Sequence, residues 1–326
     1  MSFGKDLQKT FHELTDGVFY YEDELITKLQ DALYILGSTK YHGVAELIHG
    51  ERSMISFQLD PHAKYPSSEM TNPVDLTTER VYKDVAQGFF KKTDHNCELA
   101  DIMFIVFDEK ELRLMYLQNK RTKKEPKIDG ELAFIADIEQ LMLLTFRPEI
   151  STQKGKRFPE CAFHGSILAD ALLPSIGSYG VFYQENGQID MQYYPANRIY
   201  YDKYSSSEKP TVRFNLKKEN PKYGFGEKRE KDGYTESIGE KTLIDFGNEL
   251  VNLHIGTPIR RKEDKHTLKQ IVSFLKNRSR VFTQSDYFKQ VPSDIMDDMD
   301  HDQQETDPLP CCKALFVFDR CRLENI

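Results

Sequence analysis

Residues 98–120 read Glu98-Leu99-Ala100-Asp101, Ile102-Met103-Phe104-Ile105-Val106-Phe107, Asp108-Glu109-Lys110-Glu111, Leu112-Arg113-Leu114-Met115-Tyr116-Leu117 and Gln118-Asn119-Lys120. A continuous apolar run and a mostly apolar one, split by four charged residues, spell two β-strands joined by a hairpin turn. A turn centred between Glu109 and Lys110 puts Asp101 opposite Gln118. Residues two apart share a face of a strand, so Lys120 points the same way as Gln118. Three polar side chains then converge at one end of an apolar sheet. Polar groups so placed cost free energy unless they are satisfied or employed.

Working outward, residues 1–60 read as mainly helical. Apolar residues at 25, 26, 29, 33 and 36 follow helical spacing, with Glu22, Glu24, Lys28 and Asp31 on the wet face. Pro61, Pro66, Asn72 and Pro73 mark a loop, and a helix is expected from Leu76 to Phe90. Beyond the hairpin, apolar residues at 132, 135, 138, 142 and 146 predict a helix over 131–147. Asp129 would be its N-cap and Pro148 its stop. A short helix over 166–173, a strand over 178–184, a turn at Asn186-Gly187 and a return strand over 189–194 follow. Residues 203–235, rich in Lys, Glu, Gly, Pro and Ser, read as an extended excursion. Helices over 240–254 and 264–277 and a strand over 313–318 complete the expected elements. The chain thus divides into a mainly helical region to residue 75, a core over 76–202, a basic excursion with helices over 203–289, an acidic linker over 290–310 and a terminal strand over 311–326. A hairpin followed by a strand–helix–strand crossover predicts an α/β (α+β) fold, with a mixed central sheet flanked by helices.

The chain has 326 residues, 39% of them apolar and 29% charged, which is ordinary for a soluble globular protein. No apolar run approaches the roughly 18–20 residues that span a bilayer, and no signal-peptide core follows Met1, so no membrane partner is expected. Five cysteines, at 97, 161, 311, 312 and 321, are an odd number without framework spacing, and the expected compartment is the cytoplasm. The net charge of −8 is unevenly spread. Residues 290–310 hold seven acidic side chains and no Lys or Arg; without them 45 acidic residues face 44 basic ones. Lys120, Arg121, Lys123, Lys124 and Lys127 form one basic cluster, and Arg260, Arg261, Lys262, Lys265, Lys269, Lys276, Arg278 and Arg280 another. Such clusters supply phosphate contacts, although charge runs are more often solvated surface.

The order helix, Glu98-x-x-Asp101, strand, turn, strand, Gln118-x-Lys120, helix, strand resembles the PD-(D/E)XK nuclease superfamily over roughly residues 76–195. The resemblance implies a restriction-endonuclease-like core with helical additions at both ends. It also implies a metal-dependent nuclease acting on nucleic acid, with double-stranded DNA expected, in a restriction or defence setting. Mg²⁺ is the implied cofactor, with Mn²⁺ as a substitute, because it takes carboxylate, carbonyl and water ligands. Asp101 would be the principal ligand, joined by Gln118 and Glu98, and Lys120 would orient or deprotonate the attacking water. The sequence departs from the pattern at position 118, where Gln stands for the commoner carboxylate, and at Ala100, where Pro is usual. A carboxylate on the preceding helix would compensate, and Glu79 and Glu69 are the candidates. A nuclease-like fold that no longer cuts and serves as a binding or assembly module is the alternative that Gln118 keeps open. Double-strand cutting would favour a homodimer. The plainer readings are that Asp101 caps a strand start and that Gln118 and Lys120 are edge-strand residues. Cys161-x-x-His164 has metal-ligand spacing without a second pair, and no phosphate-binding glycine loop or nucleophile elbow is present.

Overall fold

The computed structural model describes residues 2–41, 44–50, 53–59, 94–122, 131–152, 162–199, 201–203, 211–215, 228–239, 241–291 and 312–323. The expected helix over 76–90, with Glu79 and Glu69, lies outside the described residues, as do Lys123, Lys124, Lys127, Cys161 and nearly all of the acidic segment.

The strands, in chain order, are β1 (Ala45–His49), β2 (Met54–Phe57), β3 (His95–Glu98), β4 (Ile102–Phe107), β5 (Leu112–Arg121), β6 (Glu131–Ile135), β7 (Ile150–Thr152), β8 (Gly177–Glu185) and β9 (Gln188–Pro195). There follow β10 (Tyr201–Lys203), β11 (Thr211–Asn215), β12 (Lys228–Lys231), β13 (Tyr234–Ser237), β14 (Lys241–Thr242), β15 (Thr257–Pro258) and β16 (Ala314–Asp319). The longer helices are α1 (Phe3–Thr15), α2 (Glu22–Ile35), α3 (Ile138–Phe146), α4 (Leu243–Val251) and α5 (Lys265–Lys276).

An eight-stranded sheet in the order β1-β16-β4-β5-β8-β9-β14, with β15 added beside β5, is mixed: β16 runs parallel to β4 and β5 parallel to β8. The fold is α/β, a mixed sheet with helices on both faces. The central strand β4 is apolar throughout, and β16 nearly so, because both of their faces are covered. Met103, Ile105, Phe107, Leu114 and Tyr116 face α3 and α5, while Ile102, Phe104, Val106, Met115 and Leu117 face α1, α2 and α4. Phe104 is fully buried and stacks on Phe316, so truncation to Ala would cost about 3–5 kcal/mol.

The hairpin register is the expected one. Ile102 pairs with Leu117 and Phe107 with Leu112; beyond the last pair the Asp101 N–H turns to Leu117 O (3.2 Å), so Asp101 lies at the end of the ladder, next to Leu117 and Asn119. The charged turn has a physical reason: the Asp108 carboxylate accepts from the backbone N–H groups of Lys110 (2.8 Å) and Glu111 (2.9 Å). The second hairpin turns at Asn186 (φ 53°) and Gly187 (φ 77°), the left-handed pair that a tight turn between twisted strands requires. The connection from β5 through α3 to parallel β8 is the expected crossover.

Three readings are corrected and two are filled in. Residues 131–147 are not one helix: β6 occupies 131–135, and the helix starts after Asp137, whose side chain accepts from Gln140 N (3.1 Å). Asp137, and not Asp129, is the N-cap. Residues 165–170 form turns and not a helix. The region before residue 60 is mainly helical as expected and also holds β1 and β2, which follow the helices; β1 pairs with β16 from the far end of the chain. The excursion over 203–235 contains strands, with β11 pairing β6 and β12 pairing β13.

Candidate active site

The site lies where β4 begins and β5 ends. Asp101 is fully buried, continues the β4–β5 ladder through its N–H to Leu117 O (3.2 Å), and offers its carbonyl to Ala314 N (3.3 Å). Its carboxylate Oδ2 accepts from Asn119 N at 2.7 Å. A buried carboxylate loses its water, and a backbone N–H so placed replaces part of that hydration.

Gln118, between the two residues whose backbones bond Asp101, is 2% exposed. On its other side it pairs in register with Tyr179 of β8. Its amide oxygen accepts from Gln140 Nε2 at 2.5 Å, and its own Nε2 donates to Asn119 O at 3.2 Å. The Gln140 amide reaches from the first turn of α3 and also donates to the carbonyl oxygen of Glu98 (3.2 Å). Glu98, the last residue of β3, is therefore joined to Gln118 through its main chain, while its half-buried side chain stands at the end of a smaller β2–β3–β7 sheet.

Lys120 alternates onto the face of Gln118, yet its ammonium reaches Glu22, in the first turn of α2, with Nζ 3.0 Å from Oε1. The other oxygen of Glu22 accepts from Arg121 N at 3.2 Å. The arrangement thus gathers Asp101, Gln118 and the Glu98 backbone into one buried network, and sets Lys120 beside a carboxylate at the wet end of the same strand. Neither Glu22 nor Gln140 was singled out by the sequence reading. Glu22 sits 98 residues before Lys120. The detectable signal is Gln140 itself, a buried polar residue between Ile138 and the apolar run Leu141-Met142-Leu143-Leu144.

Asn119 points away from Gln118. It is buried against Gly180 of β8, where a Cβ would come within 2.8 Å of Asn119 Oδ1 and 2.7 Å of Met191 Sδ, so a larger residue there would push both side chains aside. Both polar atoms of the Asn119 side chain are buried without a hydrogen-bond partner among the described residues.

The corner beside the network is acidic. Burial pushes the Cys97 thiol well above its usual value, and the nearby carboxylates of Asp137, Glu139 and Glu98 push it further. Cys97 is accordingly protonated and unreactive at neutral pH. His95, buried and stacked on Phe57, has Nδ1 3.3 Å from Glu139 Oε1. Among the described residues no three His, Cys, Asp or Glu side chains stand close enough to hold a metal by themselves. Mg²⁺ does not need such a cage, since it binds through one or two carboxylates plus waters and substrate phosphate. The donors present, a carboxylate and amide or carbonyl oxygens, are of the kind it takes.

His164, the described half of the Cys161-x-x-His164 spacing, bonds Thr267 Oγ1 (2.7 Å) and lies beside the His266 ring. Burial and then His266 lower its pKa. No described helix is long and apolar enough to cross a membrane. Comparison of the chain with protein-family models, with curated proteins and with solved structures finds no match in any of the three.

Proposed function

We propose that this chain is a metal-dependent nuclease that hydrolyses phosphodiester bonds in DNA. The observation that supports this best is the meeting of Asp101 with the end of β5: its N–H bonds Leu117 O (3.2 Å) and its carboxylate takes Asn119 N (2.7 Å), beside Gln118 and Lys120, with the Glu22 carboxylate 3.0 Å from the Lys120 ammonium. Asp101 and the Gln118 amide oxygen would hold Mg²⁺ or Mn²⁺, with Glu98 supplying a further oxygen. The bound ion would lower the pKa of a water and neutralise phosphate oxygens. Lys120 supplies a mobile cation for the charge that grows on phosphorus. Glu22 keeps that amine at the strand end in the free protein, and an incoming phosphate competes with Glu22 for it.

Incubating the protein with supercoiled plasmid and Mg²⁺ tests the reading. Nicking or linearisation is expected, abolished by EDTA, by Lys120→Ala and by Asp101→Asn. A wild type that leaves the plasmid intact in both Mg²⁺ and Mn²⁺ defeats it, and so does a Lys120→Ala protein that cuts as well as the parent.

One observation favours a second reading, a nuclease-like fold that binds without cutting. The Gln118 oxygen is engaged by Gln140, and Asp101 and Gln118 are sealed from solvent. Retained DNA affinity without cleavage would select it.

A further inference from the structure

The loop joining α1 to α2 reads Val18-Phe19-Tyr20-Tyr21, and it carries the most exposed large apolar side chains described: Tyr21 is 80% and Val18 50% exposed. Tyr21 contributes almost nothing to the core by being there, whereas an exposed flat ring is suited to stacking.

The cations around it are arranged with the rings. The Arg121 guanidinium lies 4.4 Å from the centroid of Phe19 and 5.8 Å from that of Tyr21, and donates to the Tyr20 carbonyl. Lys28 Nζ lies 5.6 Å from the Tyr20 ring. Neither Arg121 nor Lys28 forms an ion pair among the described residues. The acidic side chains of the same turn are engaged. Glu22 holds Lys120, Asp23 lies 2.5 Å from Lys313 Nζ, and Glu24 accepts from Tyr21 N at 3.0 Å.

A flat ring beside a cation is the combination that takes a base by stacking and its phosphate by charge. A base paired within a duplex hides its faces; an unpaired one presents them. Arg121 directly follows Lys120 in β5, so this surface continues from the candidate site.

We propose that the Phe19-Tyr20-Tyr21 loop, with Arg121 and Lys28, is a stacking platform for an unpaired nucleotide, so that the strand end or looped-out base next to the Lys120 end of β5 is part of what the protein recognises. The inference rests on the nucleic-acid reading of that end and adds the substrate class: strands with unpaired bases in preference to a closed duplex.

The test is binding of the full chain in EDTA, where cleavage does not intervene, to a fluorescent single-stranded oligonucleotide and to its blunt duplex. Tyr21→Ala is expected to weaken single-strand binding about tenfold and to leave duplex binding within about twofold. Tyr21→Phe should retain the wild-type affinity. The chain contains no Trp, so Tyr21→Trp installs a lone indole whose emission should be quenched by the single strand and not by the duplex. Equal affinity of wild type and Tyr21→Ala for the single strand overturns the proposal. So does an absence of binding, or a loss of dimer mass in Tyr21→Ala on sedimentation, which would make the loop a contact between copies. A protein that stacks strands through Tyr21 yet never cuts would remove the nuclease reading alone. One that cuts plasmid and ignores Tyr21 would remove only the platform.

Discussion

Two carboxylates meet the polar end of β5, and they live in different solvents. Asp101 is fully buried, and its Oδ2 accepts from Asn119 N at 2.7 Å. Glu22 is one-third exposed and faces an ammonium that is itself 16% exposed. In the apolar layer a lost partner leaves a stranded donor or charge, whereas at the rim water replaces whatever is removed. The same functional group is therefore structural at one end of a short stretch of strand and exchangeable at the other. A substrate phosphate can displace Glu22 from Lys120 cheaply. Nothing displaces Asp101.

At this end of β5, removing Asp101 should produce the largest effect. Asp101→Ala orphans the buried N–H of Asn119 and is expected to cost about 2–4 kcal/mol in urea unfolding. Asp101→Asn, which keeps an oxygen acceptor, should lose about half as much while still abolishing cleavage. Equal stability of Asp101→Ala and wild type would erase the distinction between the two carboxylates.

The interior also holds a cation, which sharpens the comparison through pH. Lys241 is buried beside β9, and its Nζ donates to Gly239 O at 2.8 Å with no ion pair among the described residues. Burial lowers its pKa to about 8, against the pull of Glu249 and Asp245. Below that value both folded and unfolded states carry the proton, and the fold bears the full cost of a buried ammonium. Between about pH 8 and the ordinary lysine value of 10.5 the unfolded chain binds more protons, so stability should rise with pH across that window. Lys241→Met should stabilise the protein at pH 7 by about 2–3 kcal/mol and flatten that rise. Tyr183 and Tyr193, whose pKa values burial raises, act oppositely above about pH 10, where the unfolded chain loses protons first. Chemical denaturation at pH 7, 8, 9 and 10 measures the slope. A flat profile in the wild type would show that Lys241 is not a buried cation.

Gln118→Glu asks whether the sealed network is a latent metal site. A carboxylate at 118 still accepts from Gln140, but its second oxygen would face the Asn119 carbonyl, and a second negative charge would stand near Asp101. A loss of about 1–2 kcal/mol at neutral pH is expected, recovered when Mg²⁺ is added in excess. Thermal melting with and without Mg²⁺ reads it out. A variant destabilised equally in both conditions would favour the binding module over the nuclease.

How far the sequence spoke for all this depends on the distance between the partners. The hairpin register was legible because both strands and the Asp108 turn lie within a score of residues, and the Asn186-Gly187 turn for the same reason. The run over 131–147 misled because a short apolar stretch suits either period: Phe134 is buried from β6, while Leu141 and Leu144 of α3 sit on an inward helical face. Asp137, a better cap than Asp129, marked the boundary. The strand β1 escaped notice because its partner, β16, comes from the other end of the chain. Glu22 was legible only as a residue on the wet face of α2, since nothing local says which strand end that helix start will meet. Of the candidate site, the part built by adjacent strands was readable; the part delivered by helices was not.

The smallest expected effect bears on the rim. Lys120→Ala and Glu22→Gln, alone and together, form a cycle that isolates the pair at 3.0 Å. Because both groups touch water, the coupling should be below about 1 kcal/mol and should fall as salt rises. Glu22→Gln keeps an oxygen for Arg121 N, so the backbone bond is not confounded with the ion pair. If Glu22 serves chiefly to hold the lysine, Glu22→Gln should tighten DNA binding in EDTA by a few-fold, because phosphate no longer competes with a carboxylate for Lys120. If DNA binds Glu22→Gln no better than wild type, Lys120 is not the group that meets the backbone, and the rim carboxylate is as structural as the buried one.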